Sequence, residues 1–160
     1  MAKKTSDDPN SKSISRNRRA RHEYEILDTL ECGIALRGSE VKSCRAGKVS
    51  LEEAYARIND GELWLLGCDS AEYPQANIMN HEPRRPRKLL LHKRELRKFA
   101  DAASHEGFTL IPLAMYFSEG KAKVEIAVGK GRKLHDKREK MKTEAAKKEM
   151  RSALGKRGGR

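Results

Sequence analysis

The sequence predicts a mainly β (α+β) fold: a small closed β-barrel of oligonucleotide-binding type, with two or three short helices and a disordered basic C-terminal tail. Three observations predict it. Short runs with the two-residue apolar period of strands recur between residues 22 and 128. Turn signals divide them, Asp60-Gly61 and Ser118-Glu119-Gly120 being the clearest. A sheet this small gains from closure, because closure removes edges it has no other means to protect.

Residues 1 to 15 are rich in Lys, Ser, Asp and Asn, hold too little apolar surface to offset chain entropy, and are expected to be disordered. The arginine run RNRRAR at 16 to 21 leads into a first strand in which Tyr24 and Ile26 face one way and Glu23 and Glu25 the other. Ile34 and Leu36 continue the strand pattern until Gly38 allows a sharp exit. Ser39 is placed to cap a short helix starting at Glu40, whose negative charge suits the helix dipole. Val41 and Cys44 fall on its inner side and Lys42 and Arg45 on its outer side, while Gly47 fits the left-handed C-terminal position. Residues 54 to 59 and 62 to 68 then form a hairpin about Asp60-Gly61.

Pro74, Pro83 and Pro86 break the pattern between residues 69 and 87 and predict a basic surface loop. Lys88 to Leu91 form a brief strand. The spacing of Leu96, Phe99, Ala100 and Ala103 predicts a second helix from 93 to 106 that Gly107 stops. Residues 108 to 117 are an apolar strand in which Pro112 demands an edge or a bulge. Its partner points Ala122, Val124, Ile126 and Val128 inward and Lys121, Lys123 and Glu125 outward. This divides the chain into a disordered segment at 1 to 15, a barrel at 16 to 130 and a basic tail at 131 to 160.

The formal net charge of +12 sits on the two ends: residues 1 to 22 carry +5, residues 129 to 160 carry +9, and the middle carries −2. Basic arms on a near-neutral body point to nucleic acid. No stretch approaches the ~18 apolar residues of a spanning helix and no signal peptide opens the chain, so a cytoplasmic protein is expected. Cys32, Cys44 and Cys68 lack CxxC spacing and read as buried small hydrophobes, and the five histidines lack metal-ligand spacing. No cofactor or metal and no catalytic constellation is predicted. A ribonuclease using His22 and His92 is the enzymatic alternative, and a tail-driven DNA binder is a third class.

The candidate RNA contacts are Asn17, Arg19, Arg21 and His22 around the basic lead-in, Lys42, Ser43 and Arg45 of the short helix, and Arg87. A solvated tail is the bland alternative for the arginine run. The sequence admits two placements of Tyr55, exposed for stacking on a base or ribose or packed beneath the short helix. In the tail, Met141, Ala145, Ala146, Met150 and Leu154 form only a thin apolar stripe. The tail reads either as a solubilising appendage or as a segment that becomes helical against a polyanion.

Four stretches carry a more specific signal: NRRARHEYEI at 17 to 26, GIALRGSEVKSCRAGK at 33 to 48, RKLLLHKREL at 87 to 96 and GKGRKLHDKRE at 129 to 139. In this order and spacing the chain resembles the SsrA-binding protein (small protein B) family of bacterial trans-translation. The resemblance implies a non-enzymatic, monomeric protein. It would bind the tRNA-like domain of transfer-messenger RNA and deliver it to stalled ribosomes, its tail sensing the vacant mRNA channel and the small-subunit decoding centre. It also implies RNA contacts at Glu31, Leu90 and His92, and ribosome contacts at Gly131, Lys133, His135, Asp136, Lys137, Arg138 and Met141. Where the family often carries Gly-Lys-Lys, this chain has Gly131-Arg132-Lys133, which keeps the charge but changes the hydrogen-bond geometry. A general structured-RNA or ribosome-binding protein is the alternative function.

Overall fold

The computed structural model describes residues 12 to 132 and 134 to 157. Among these residues there are nine strands: β1 (Lys12–Arg16), β2 (Tyr24–Ile34), β3 (Val49–Ser50), β4 (Tyr55–Asn59), β5 (Glu62–Leu66), β6 (Asp69–Ser70), β7 (Arg87–Leu90), β8 (Phe108–Ser118) and β9 (Lys121–Gly131). The helices are α1 (Ala20–Glu23), α2 (Gly38–Arg45), α3 (Lys93–Ala103) and α4 (Leu134–Arg157), with a 3-10 turn at Pro74–Met79. Pairing runs β1-β8-β4-β5-β7-β2-β9 and returns through β8 and β9, so six strands close a ring and β1 lies outside it on β8. The fold is mainly β, as the alternating runs predict. Residues 1 to 11, expected to be disordered, lie outside the described residues. Order nevertheless begins earlier than residue 16, because Ser13 and Ser15 pair with Tyr116 and Met115 and Ile14 is buried.

The legible elements follow local chemistry. Asp60 and Gly61 both take positive φ, 50° and 72°, as a primed two-residue turn requires. Pro112 sits at a register shift between β8 and β9, which accommodates its missing N–H. Inside the ring Leu63, Leu65, Val124 and Ile126 are fully buried, each stabilising the fold by about 1.5–3 kcal/mol. Phe99 of α3 joins this core, and Ala20 of α1 joins a second cluster with Ile111, Leu113 and Ala127. Cys32, Cys44 and Cys68 are buried free thiols, and burial pushes Cys32 up to about 12, leaving it an inert hydrophobe.

The start of α2 departs from the expectation. Arg37 is the N-cap residue, and its N–H donates to Glu40 Oε2 at 2.8 Å. Ser39 lies within the helix, and its hydroxyl meets His81 Nδ1 at 2.9 Å. Glu40 is fully buried. Arg85 donates to both its oxygens at 2.6 and 2.7 Å, and Arg87 adds a bond to Oε1 at 3.1 Å. The loop from 69 to 87 is therefore only partly at the surface, since His81 and Arg87 are buried beneath α2.

This cluster makes stability depend on one carboxylate. Burial pushes the Glu40 carboxyl up, but the Arg85 hydrogen bonds, the Arg37 amide and the charge of Arg87 together hold it below its ordinary value of 4.5. Its contribution should be fully present above that value and lost as pH falls through the depressed folded value. Urea titrations across the acid range should show this loss in the parent and not in Glu40→Gln. At neutral pH, Glu40→Ala should cost about 3–5 kcal/mol by orphaning the buried Arg87, and a change under 1 kcal/mol would contradict the assignment.

Candidate nucleic-acid interface

Exposed cations gather first on α2. Its inner side buries Ser43 and Cys44, which turns Lys42 and Arg45 outward. Lys42 Nζ lies 5.1 Å from the centre of the Tyr73 ring, a cation–π contact that fixes it beside the loop. Lys12 Nζ reaches the Arg45 carbonyl at 3.4 Å, adding a cation from a strand that composition alone had assigned to disorder. Lys48, just beyond the helix, is also exposed. These four charges come from β1 and α2 and their flanks, so they are held at fixed spacing.

Three of the predicted contacts are buried and hydrogen-bonded within the chain. Asn17 is 6% exposed; its Nδ2 donates to the carbonyls of Leu51 and Pro112 at 3.1 and 3.2 Å, and its Oδ1 accepts from Ala20 N at 3.1 Å. It secures the β8 bulge and the entry to α1, with both its amide hydrogens and its oxygen engaged within the chain. Ser43 is 1% exposed and donates to the Ala71 carbonyl at 2.6 Å. Arg87 is equally buried; beyond Glu40 it donates to the carbonyls of Cys68 and Pro83 at 2.7 and 3.0 Å. Each has a partner far away in sequence, Leu51 and Pro112 for Asn17, Ala71 for Ser43, Glu40 and Cys68 for Arg87, so the local pattern gave a polar residue and no means of seeing what buries it.

Arg19, Arg21 and His22 are exposed around α1. Arg19 and Tyr55 line one shallow groove of about 330 Å³ together with Glu23, Glu52 and Glu53. Tyr55 is 47% exposed, which decides between its two placements. The three carboxylates make this groove a poor seat for phosphate, so an aromatic contact with a base fits it better. His22 and His92 stand toward opposite ends of β2, on the order of 20 Å apart along the strand. That separation removes the pair a two-histidine ribonuclease requires, and among the described residues no cluster of metal-ligating side chains occurs.

The outer face of the sheet brings the remaining candidates together. Leu90 of β7 stands opposite Gly33 of β2, Gly33 opposite Lys123 of β9, and Lys123 opposite Tyr116 of β8. Glu31, two residues from Gly33, shares that face. It accepts hydrogen bonds from the Tyr116 hydroxyl and from Lys123 Nζ, the latter at 2.8 Å. Leu90 is 50% exposed, and His92 caps α3 through its backbone, leaving the imidazole exposed. Burial, then the hydrogen bond and charge of Glu31, push the Tyr116 hydroxyl well above its ordinary range, so it remains a donor. Tyr116 was missed because an aromatic in an apolar strand looks like core. Lys123 was seen only as an outward residue.

Gly131 ends β9 exposed, and Arg138 and Met141 are exposed on α4. Lys133 lies outside the described residues, as do the side chains of His135, Asp136 and Lys137. Among the described residues, no helix is long and apolar enough to cross a membrane.

Residues 14 to 156 match the family model described as SmpB protein. The SsrA-binding protein of Rhodopirellula baltica is 57% identical over 135 residues, covering 84% of this chain and 77% of that one. The SsrA-binding protein of Symbiobacterium thermophilum is 52% identical over 142 residues, covering 88% and 90%. A chain from a solved structure described as "tmRNA-SmpB: a journey to the center of the bacterial ribosome" is similar with a TM-score of 0.64 and 52% identity, covering 74% of this chain and 84% of that chain.

If the α2 face meets phosphates, Lys42→Ala with Arg45→Ala should weaken RNA binding and lower the slope of log K against log salt by about 1.5, because each lost phosphate contact removes about 0.7–0.9. Fluorescence anisotropy at several salt concentrations measures it. An unchanged slope would mean that this face looks away from the RNA.

Proposed function

The chain belongs to the SmpB protein family, and from that membership we propose that it is a non-enzymatic RNA-binding protein of trans-translation. It binds the tRNA-like domain of transfer-messenger RNA and carries it to stalled ribosomes, and its tail senses the empty mRNA channel and the decoding centre. Its relatives bear the name SsrA-binding protein, and the solved neighbour is described by transfer-messenger RNA and the bacterial ribosome.

The observation that carries this reading is the contrast between the ring and α4. The ring holds its cations and polar groups on ordered elements, which suits recognition of a folded RNA by shape and by particular contacts. The helix α4 leaves Met141, Met150 and Leu154 at 60, 69 and 71% exposure, with cations along its length. Lys140 Nζ donates to the Arg21 carbonyl at 2.6 Å, a contact at the first turns that leaves the later ones unsupported by the ring. A segment with little apolar burial is weakly helical in water and gains its structure where phosphates neutralise its lysines. The ring thus binds the RNA, and the tail acts in a channel that mRNA would otherwise fill. The site works by placement and charge, with no bond-making step.

Removing residues 131 to 160 should leave affinity for the tRNA-like RNA nearly intact and abolish tagging of stalled products in a reconstituted translation reaction. The variant Ala146→Pro keeps every charge and costs about 3 kcal/mol in a formed helix. Tagging should fall with it while RNA affinity holds. Full tagging by that variant would show that the tail acts as an extended polycation.

A further inference from the structure

The ring closes most sparsely between β4 and β8. Strand β4 pairs with β5 along its whole length, yet it meets β8 at one position, Ala56 opposite Leu110. A groove opens on each side of that pair, and Thr109 lines both. One is the Tyr55 groove with its three carboxylates. The other, of about 310 Å³, lies between β4, β8 and the last turns of α3. Ile58, Ala100, Ala103, Phe108 and Leu110 make it largely apolar, and among the described residues the only charged side chain lining it is Arg57. Phe108 is half-buried, and its ring meets that of His105 at a steep angle, with centroids 6.1 Å apart and planes at 67°, a contact that restrains it at the groove. Arg57 is exposed, two residues on from Tyr55 on the outward face of β4. Arg97 is exposed on α3, one turn before Ala100 on the same side of the helix.

We infer that this second groove seats an unpaired nucleotide of RNA, its base against Phe108 and its phosphate on the Arg57 guanidinium. The inference deepens the proposed RNA-binding function and rests on it. An aromatic ring beside a cation is the combination by which proteins hold single strands: stacking is a contact that every base can make, and the cation tracks the backbone. The apolar walls suit a base withdrawn from water. A duplex keeps its bases stacked and has no free face to insert. The sign of the lining also differs from that of the Tyr55 groove: three carboxylates there disfavour phosphate, whereas here a guanidinium attracts it with no carboxylate in the lining. Because Thr109 borders both grooves, one extended strand can set a base at Tyr55 and a following base at Phe108, with Arg57 beside the backbone that links them. Arg97 extends the attraction along α3. An acidic peptide would satisfy the guanidinium and leave the aromatic ring unused.

The test separates stacking from charge and from folding. The full chain and the variants Ala100→Leu, Arg57→Ala and Arg57→Lys are titrated with a single-stranded oligouridylate carrying one 4-thiouridine, and with a duplex RNA of equal phosphate number. Ala100→Leu fills the groove and keeps every charge. It should weaken oligouridylate binding roughly tenfold, with the salt slope and the duplex affinity unchanged, and the unchanged duplex affinity shows that the variant is folded. Arg57→Ala should lower the oligouridylate salt slope by about 0.7, and Arg57→Lys should restore it. Photo-cross-links from the 4-thiouridine to the parent should map to peptides containing Arg57 or Phe108. Parental oligouridylate binding by Ala100→Leu, or cross-links confined to other elements, would overturn the inference. So would self-association of the parent that Ala100→Leu abolishes, since the groove would then belong to a second copy of the chain. A parent that binds a tRNA-like transcript and ignores the oligouridylate would sink the inference alone, whereas a parent that binds no RNA would sink the functional reading as well.

Discussion

The buried Glu40 carboxylate is the constraint on which the rest of the molecule depends. It sits in the first turn of α2, closes that turn by accepting from Arg37 N–H, and receives Arg85 and Arg87 from a loop more than forty residues further on. One carboxylate therefore orients the helix that displays Lys42 and Arg45, the loop that carries Tyr73, and the first residue of β7. Two guanidinium groups and an amide around one carboxylate meet the condition under which a buried charge is tolerated, since its acceptor sites are used. Apolar side chains in these places would pack but would not fix the loop's register. His81 fits the same logic, bridging the Ser39 hydroxyl and the Ser70 carbonyl at 2.9 Å each.

Legibility in the sequence follows the range of the interaction. The Asp60-Gly61 hairpin, the left-handed Gly47 and the inward row Val124, Ile126 and Val128 are all set within a few residues, and each stands where local pattern put it. Pro112 announced a bulge because a missing N–H cannot be hidden inside a ladder. Asn17, Ser43 and Arg87 could not be read this way. Each is a polar residue in a basic or polar context, and only the fold reveals that Leu51, Ala71, Cys68 and Pro83 supply its partners. The same blindness worked in reverse for Lys12, whose surroundings resemble a tail until β8 pairs with them. Of the candidate contacts, the surface cations were recoverable from charge and periodicity. The Glu31 group required the register of four strands.

Electrostatics alone do not distinguish the faces of this molecule. The α2 face gathers Lys12, Lys42, Arg45 and Lys48, whereas the groove beside Tyr55 mixes Arg19 with Glu23, Glu52 and Glu53. The outer row around Gly33 combines a carboxylate, an ammonium, a phenol and an exposed leucine. These are three different chemistries: cations on a helix, an aromatic among carboxylates, and a carboxylate held by a phenol and an ammonium. A protein whose attraction came only from its net charge of +12 would need none of the latter two.

The placement of that charge supplies the remaining step. The middle of the chain is close to neutral and the ends are strongly basic, so long-range attraction for a polyanion comes chiefly from the ends. If the tail's cations were spread over the ring, the groove carboxylates and Glu31 would be submerged in a uniform positive field and any RNA would bind about as well as another. Concentrating the cations on α4, beyond the last strand, leaves the ring close to neutral and the chain's basic charge on a separate helix. Two physical regimes thus meet in one chain: fixed hydrogen-bond geometry on a closed sheet, and dense positive charge on a helix with little apolar burial.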